Sequence, residues 1–114
     1  MSDDTRAAIQ RFHDALNSHD LDALGLVVDE ECVFETTSPP DGTRHVGRDA
    51  VLAACREFLA QSPDARFTME EVVTVDDRAF VRWLYDWGDG HVRGVDVMRV
   101  RDGKVLETFA YVKG

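Results

Sequence analysis

A chain of 114 residues that is 44% apolar has the size of one domain, taken as 1–114, and enough apolar surface to bury a core. Its net charge of −9, with the basic residues scattered along the chain, argues against nucleic acid and against a membrane surface as partners. The opening Met1-Ser2-Asp3-Asp4 carries acids where a signal peptide needs basic residues and an apolar run, and no stretch is long enough to span a bilayer, so a cytoplasmic location is expected.

From Thr5 to Leu16 the residues Ala8, Ile9, Phe12 and Leu16 recur at helical spacing, and Ser2 or Asp4 can cap the free amides at the start. Asn17-Ser18-His19 breaks this helix, and Asp20 caps a second, short one that buries Leu21, Leu24, Val27 and Val28. Cys32 to Thr36 reads as a strand. Two prolines and a glycine in Ser38-Pro39-Pro40-Asp41-Gly42 then forbid regular structure and suit the rim of a pocket. A third helix runs from Asp49 to about Gln61, with Val51, Leu52, Cys55, Phe58 and Leu59 on one face, and Ser62-Pro63 ends it.

After Pro63 the period changes to alternation, giving strands at Arg66–Val75, Ala79–Trp87, His91–Arg101 and Lys104–Val112. Asp76-Asp77, Gly88-Asp89-Gly90 and Asp102-Gly103 supply residues that accept positive φ, so three hairpins join the four strands into a meander. Helices first and a meander afterwards is an α+β plan. Cys32 and Cys55 lie on apolar faces without CxxC spacing and are expected as buried free thiols, and no pair of histidines has metal-ligand spacing, so no metal is expected.

Alternate residues of a strand face opposite sides, which decides what enters a pocket. In His91–Arg101, arginines 93, 99 and 101 share a parity with Val95 and Val97. The other parity, Val92, Gly94, Asp96, Met98 and Val100, therefore faces inward and sets one carboxylate in an apolar row. By the same argument Val81, Trp83 and Tyr85 face inward. Phe80, Leu84, Val95, Val97, Phe109 and Tyr111 face outward, enough apolar surface to predict a homodimer through the outer sheet face. Glu35 falls on the outward side of its strand.

The helix pair, the His45-Val46-Gly47-Arg48-Asp49 approach to the third helix, and the runs Gly94-Val95-Asp96-Val97-Met98-Arg99-Val100 and Asp102-Gly103-Lys104-Val105 resemble the SnoaL-like branch of the nuclear-transport-factor-two-like superfamily. That group includes polyketide cyclases, ketosteroid isomerases and limonene epoxide hydrolases. The resemblance implies a cystatin-like, cone-shaped barrel: three N-terminal helices packed on a strongly curved, mostly antiparallel sheet around an apolar pocket. In the ketosteroid isomerases a run similar to Val95–Arg99 carries the aspartic acid that donates a hydrogen bond to the dienolate oxygen, and Asp96 falls on that position. Their tyrosine on the first helix corresponds to Phe12 and their general-base aspartate to Thr36. The epoxide hydrolases place an aspartate where this chain has Ala110, although Arg82 lies on a suitable strand. The SnoaL-like cyclases work with a single pocket aspartate and no metal, a requirement that Asp96 alone meets.

Two readings of Asp96 follow: a pocket acid or base, and a structural carboxylate hydrogen-bonded to a neighbour or paired with an arginine such as Arg82. His13, beside Phe12 at the edge of the first helix's apolar stripe, either reaches the pocket or caps its rim. His19, His45 and His91 read as exposed polar residues. The expected function is a cofactor-free small-molecule enzyme or binder acting on an apolar, up to polycyclic, carbonyl compound. Asp96, Tyr85 and His13 are its catalytic candidates. Phe12, Leu16, Phe34, Thr36, Cys55, Trp83, Met98 and Thr108 are its substrate-binding candidates. The competing reading is a non-catalytic ligand-binding or dimerisation module of the same fold.

Overall fold

The protein is described by a computed structural model covering residues 2–114. Helix α1 spans Ser2–Asn17, and the capping expected of Ser2 lies outside the described side chains. Its Ala8, Ile9, Phe12 and Leu16 are buried as the spacing predicts. Helix α2 spans Leu21–Val27, and the Asp20 carboxylate accepts a hydrogen bond from the Ala23 amide at 3.0 Å, closing the helix start.

Val28 is not the last residue of α2 but the first of strand β1, Val28–Glu35, so the chain passes from helix to strand without a loop. This strand starts four residues earlier and ends one residue sooner than the Cys32–Thr36 reading. A short strand absent from that reading, β2 at Arg44–Val46, pairs with β1 and contains His45, whose ring lies 6.1 Å from that of Phe34. Helix α3, Arg48–Gln61, then buries Val51, Cys55 and Leu59. The meander follows as β3 (Arg66–Val75), β4 (Arg78–Asp86), β5 (His91–Arg101) and β6 (Lys104–Val112). Strand β4 stops at Asp86, leaving Trp87 in the turn, where its amide donates to the Gly90 carbonyl.

The six strands of the described residues form one mixed sheet in the order β2-β1-β6-β5-β4-β3, parallel between β1 and β6 and antiparallel elsewhere. Asp76, Asp102, Gly103 and Gly88 adopt the positive φ expected of the hairpin turns. Register shifts between Met69 and Glu71, between Arg99 and Val100, and between Val28 and Val33 bend their strands, so the sheet curls around the helices. The first of these shifts turns both Glu70 and Glu71 outward, where they meet Arg93 at 3.0 Å and Arg82 at 2.7 Å.

The core lies between the helices and the concave sheet face, where buried residues of α1 join Val81, Met98, Val100 and Val105 in one cluster. Asn17 locks the end of α1 to β3. Its side chain donates to the Phe67 carbonyl and accepts from the Phe67 amide, each at 2.8 Å, and so fixes Phe67 from two sides. No described helix is long and apolar enough to cross a membrane.

Candidate functional site

Side-chain parity on β4, β5 and β6 sets the floor and walls of a cavity. Cross-strand neighbours on the concave face form rows: Tyr85 beside Val92, Trp83 beside Gly94 and Val112, Val81 beside Asp96 and Ala110, and Ala79 beside Met98 and Thr108. Phe34 of β1 joins the last row beside Thr108 through the parallel pairing. A cavity of about 160 Å³ opens above these rows, roofed by Phe12, His13 and Leu16 of α1 and by Ala54, Cys55 and Phe58 of α3. Gly94 is required where it stands. A Cβ there would come within 2.5 Å of the Trp83 ring and 2.3 Å of the Tyr111 carbonyl, so only glycine leaves room for the indole against β5.

Asp96 faces this cavity. Burial pushes its carboxyl up to about 7, while the Trp83 indole beside it acts more weakly in the opposite direction. The indole Nε1 does not reach hydrogen-bond geometry with any acceptor. Among the described residues no arginine pairs with Asp96: Arg82 projects from the outer face to Glu71, so Arg82 neither neutralises Asp96 nor supplies an epoxide-hydrolase-type arginine. Ala110, which lies directly beside Asp96, brings no second carboxylate.

His13 is fully inside rather than at the rim, 2% exposed, and both its ring nitrogens lack hydrogen-bond partners. Burial drives its pKa down to about 4, against a weaker upward pull from Asp14, so the imidazole is neutral at neutral pH. Its ring meets Phe12 and Phe67 edge-on at 5.7 and 6.0 Å. Tyr85 Oη, Trp83 Nε1 and Thr108 Oγ1 are likewise buried and reach no partner at hydrogen-bond geometry; burial holds the Tyr85 phenol above its ordinary value, against a weaker downward pull from Ser62. Buried polar atoms are seldom left unpaired, and these four side chains gather around one apolar cavity.

Phe12, Leu16, Phe34, Thr36, Cys55, Trp83 and Thr108 all line the cavity together with Asp96, Tyr85 and His13. Met98 does not. It is 1% exposed and one row deeper than Asp96, so it packs in the core beneath the cavity. The wall also contains Phe58, Phe67, Val92, Ala110 and Val112, which sequence reasoning did not select. The parity that turned Asp96 inward also pointed to Val92, whereas Phe67 needed the register of β3 against Tyr85 to be known. Phe67, Tyr85 and Phe58 pack ring against ring at 4.5 to 5.9 Å and close the side of the cavity. Among the described residues no group of three or more His, Cys, Asp or Glu side chains is gathered so as to hold a metal ion.

The sequence pattern of the SnoaL-like domain matches residues 9–108. Among solved structures, an NTF2-like protein of unknown function from Mesorhizobium loti is 45% identical and superposes with a TM-score of 0.88 over 99% of this chain and 93% of its own. A candidate ketosteroid isomerase from Kribbella flavida has a TM-score of 0.87 at 23% identity, covering 99% of this chain and 80% of its own. A candidate polyketide cyclase from Sinorhizobium meliloti has a TM-score of 0.80 at 20% identity, covering 90% of this chain and 92% of its own. The latter two likenesses are of fold. No curated protein is significantly similar to the chain.

Proposed function

The chain belongs to the SnoaL-like domain family, and from that premise we propose that it binds a small apolar carbonyl compound and moves a proton on it with Asp96 as acid and base. The observation that carries this reading is a buried carboxyl, paired with no described arginine, on the wall of an apolar cavity in which four other described side chains leave polar atoms unpartnered. A carboxyl that titrates near 7 is present in both forms at neutral pH, which suits a group that must take a proton and return it. As carboxylate, Asp96 removes a proton from the carbon next to the carbonyl. The electron pair moves onto oxygen, and the proton returns to the same or a conjugated carbon. The O–H of Tyr85 and the N–H of Trp83 are the donors available to the developing enolate oxygen. The neutral His13 offers either a donor or an acceptor beside them.

Proton exchange tests this reading without knowledge of the natural substrate. Small cyclic and aryl ketones incubated in heavy water with the protein are expected to exchange their α-protons faster than in buffer, as followed by proton NMR, and Asp96→Asn is expected to remove the acceleration. Ketones that bind without faster exchange would refute it.

A second reading concerns the outer face. Phe80 and Tyr111 are 40% and 58% exposed there, between the arginine–carboxylate pairs of β3 to β6. We propose that this face pairs with a second copy, which sedimentation equilibrium would show as a dimer that Phe80→Glu dissociates.

A further inference from the structure

A second recess adjoins the cavity. The loop from Glu35 to Gly42 and the end of β6 enclose a cleft of about 440 Å³, which shares Thr36, Thr37, Ala110 and Val112 with the inner cavity. The two differ in chemistry. The inner one is walled by aromatic and aliphatic side chains, with a few unpartnered polar atoms near Asp96. The outer one carries the hydroxyls of Thr36, Thr37 and Ser38 and the carboxylates of Glu35 and Asp41. Among the described residues neither is lined by a lysine or an arginine, and the Arg44 guanidinium is held by Glu35 at 2.7 Å.

Volume and charge together select a ligand. An apolar cavity of roughly 150 Å³ accommodates one benzene-sized ring, whereas drug-sized molecules occupy pockets of roughly 300 Å³ or more. The inner cavity, at about 160 Å³, therefore takes one ring and its carbonyl, and not four fused rings. An anion entering the inner recess would lose its hydration with no lining cation to meet it, and in the outer one it would face Asp41 beside a Glu35 whose charge Arg44 already offsets. Those carboxylates accept hydrogen bonds from hydroxyl groups.

On this basis, and resting on the proposed binding of a carbonyl compound, we infer that the ligand is an uncharged two-part molecule: a single-ring ketone or enone head in the inner cavity and a hydroxylated extension in the outer cleft.

Four probes test the inference by heteronuclear NMR titration of the intact protein: acetophenone, para-(hydroxyethoxy)acetophenone, para-acetylbenzoate and progesterone. Acetophenone is expected to shift the Trp83 indole and the Asp96 amide while leaving the 36–42 loop in place. The hydroxylated probe is expected to shift both regions and to bind about fivefold more tightly, as one added hydrogen bond allows. The anion is expected to bind about 100-fold more weakly than acetophenone, from the loss of its hydration. Progesterone is expected not to enter. Tighter binding of progesterone than of acetophenone, equal binding of the anion, no gain from the hydroxylated tail, or no binding of acetophenone would each overturn the inference. The expected binding order without α-proton exchange would leave this inference standing and remove the proton-transfer reading. Exchange together with a preference for progesterone would do the reverse.

Discussion

Burial in the same cavity wall displaces Asp96 and His13 in opposite directions, and the consequence is a stability profile that only variants reveal. The folded Asp96 carboxyl titrates at about 7 instead of 3.8, so its favourable contribution is complete below pH 3.8 and is withdrawn as pH rises to about 7. At 1.36 kcal/mol per pH unit this withdrawal amounts to about 4 kcal/mol. The folded His13 titrates at about 4 instead of 6.5, so its contribution is complete above pH 6.5 and is lost as pH falls to about 4, about 3 kcal/mol in all. Between pH 4 and 6.5 the pair binds one proton in either state, on His13 when unfolded and on Asp96 when folded, and the two slopes cancel. Urea denaturation of the wild type, Asp96→Asn and His13→Gln, followed by tryptophan fluorescence from about pH 4 to about pH 8, separates them. Relative to the wild type, Asp96→Asn is expected to gain about 4 kcal/mol across that range and His13→Gln to lose about 3 kcal/mol. Surface carboxylates common to the three proteins cancel in these differences. Differences that stay constant with pH would show that the two groups titrate at ordinary values and would refute the account of both as displaced by burial.

Gly94→Ala is expected to destabilise the protein by about 2 kcal/mol, because the new methyl group displaces either the Trp83 ring or the β6 backbone, and to move the Trp83 indole resonance. Asn17→Ala is expected to cost about 2 kcal/mol in chemical denaturation, since it leaves both backbone groups of Phe67 without their partner, and to loosen ketone binding through Phe67. The thiols of Cys32 and Cys55 are pushed by burial up to about 12, so neither is expected to react with a thiol reagent at about pH 8 until denaturant is added. Rapid modification of the native protein would contradict their placement.

Much of the site was legible because it depends on periods that a local reading can count. The stripe Ala8, Ile9, Phe12 and Leu16 named the buried face of α1, and the arginines at 93, 99 and 101 forced Asp96 to the inner side of β5. The same parity pointed Trp83 and Tyr85 inward, and residues able to take positive φ at 76, 88, 102 and 103 marked the hairpins. Where the local signal was weak, the reading failed. Asp29-Glu30-Glu31 hid the first half of β1, and three residues at 44–46 were too few for β2 to show a period.

Sequence alone determined the helical and strand faces, the turns and the inward carboxylate, because each follows from neighbours a few residues apart. Tertiary structure decided the rest. The parallel seam of β1 with β6 brings Phe34 to Thr108, and the register shift at Met69 and Glu71 sets Phe67 inward while sending Glu70 and Glu71 to the outer arginines. The depth of the cavity leaves Met98 below its floor and His13 sealed inside. These features depend on which strands meet and how tightly the sheet curls, and such pairings join residues far apart in the chain, whose meeting no local period encodes.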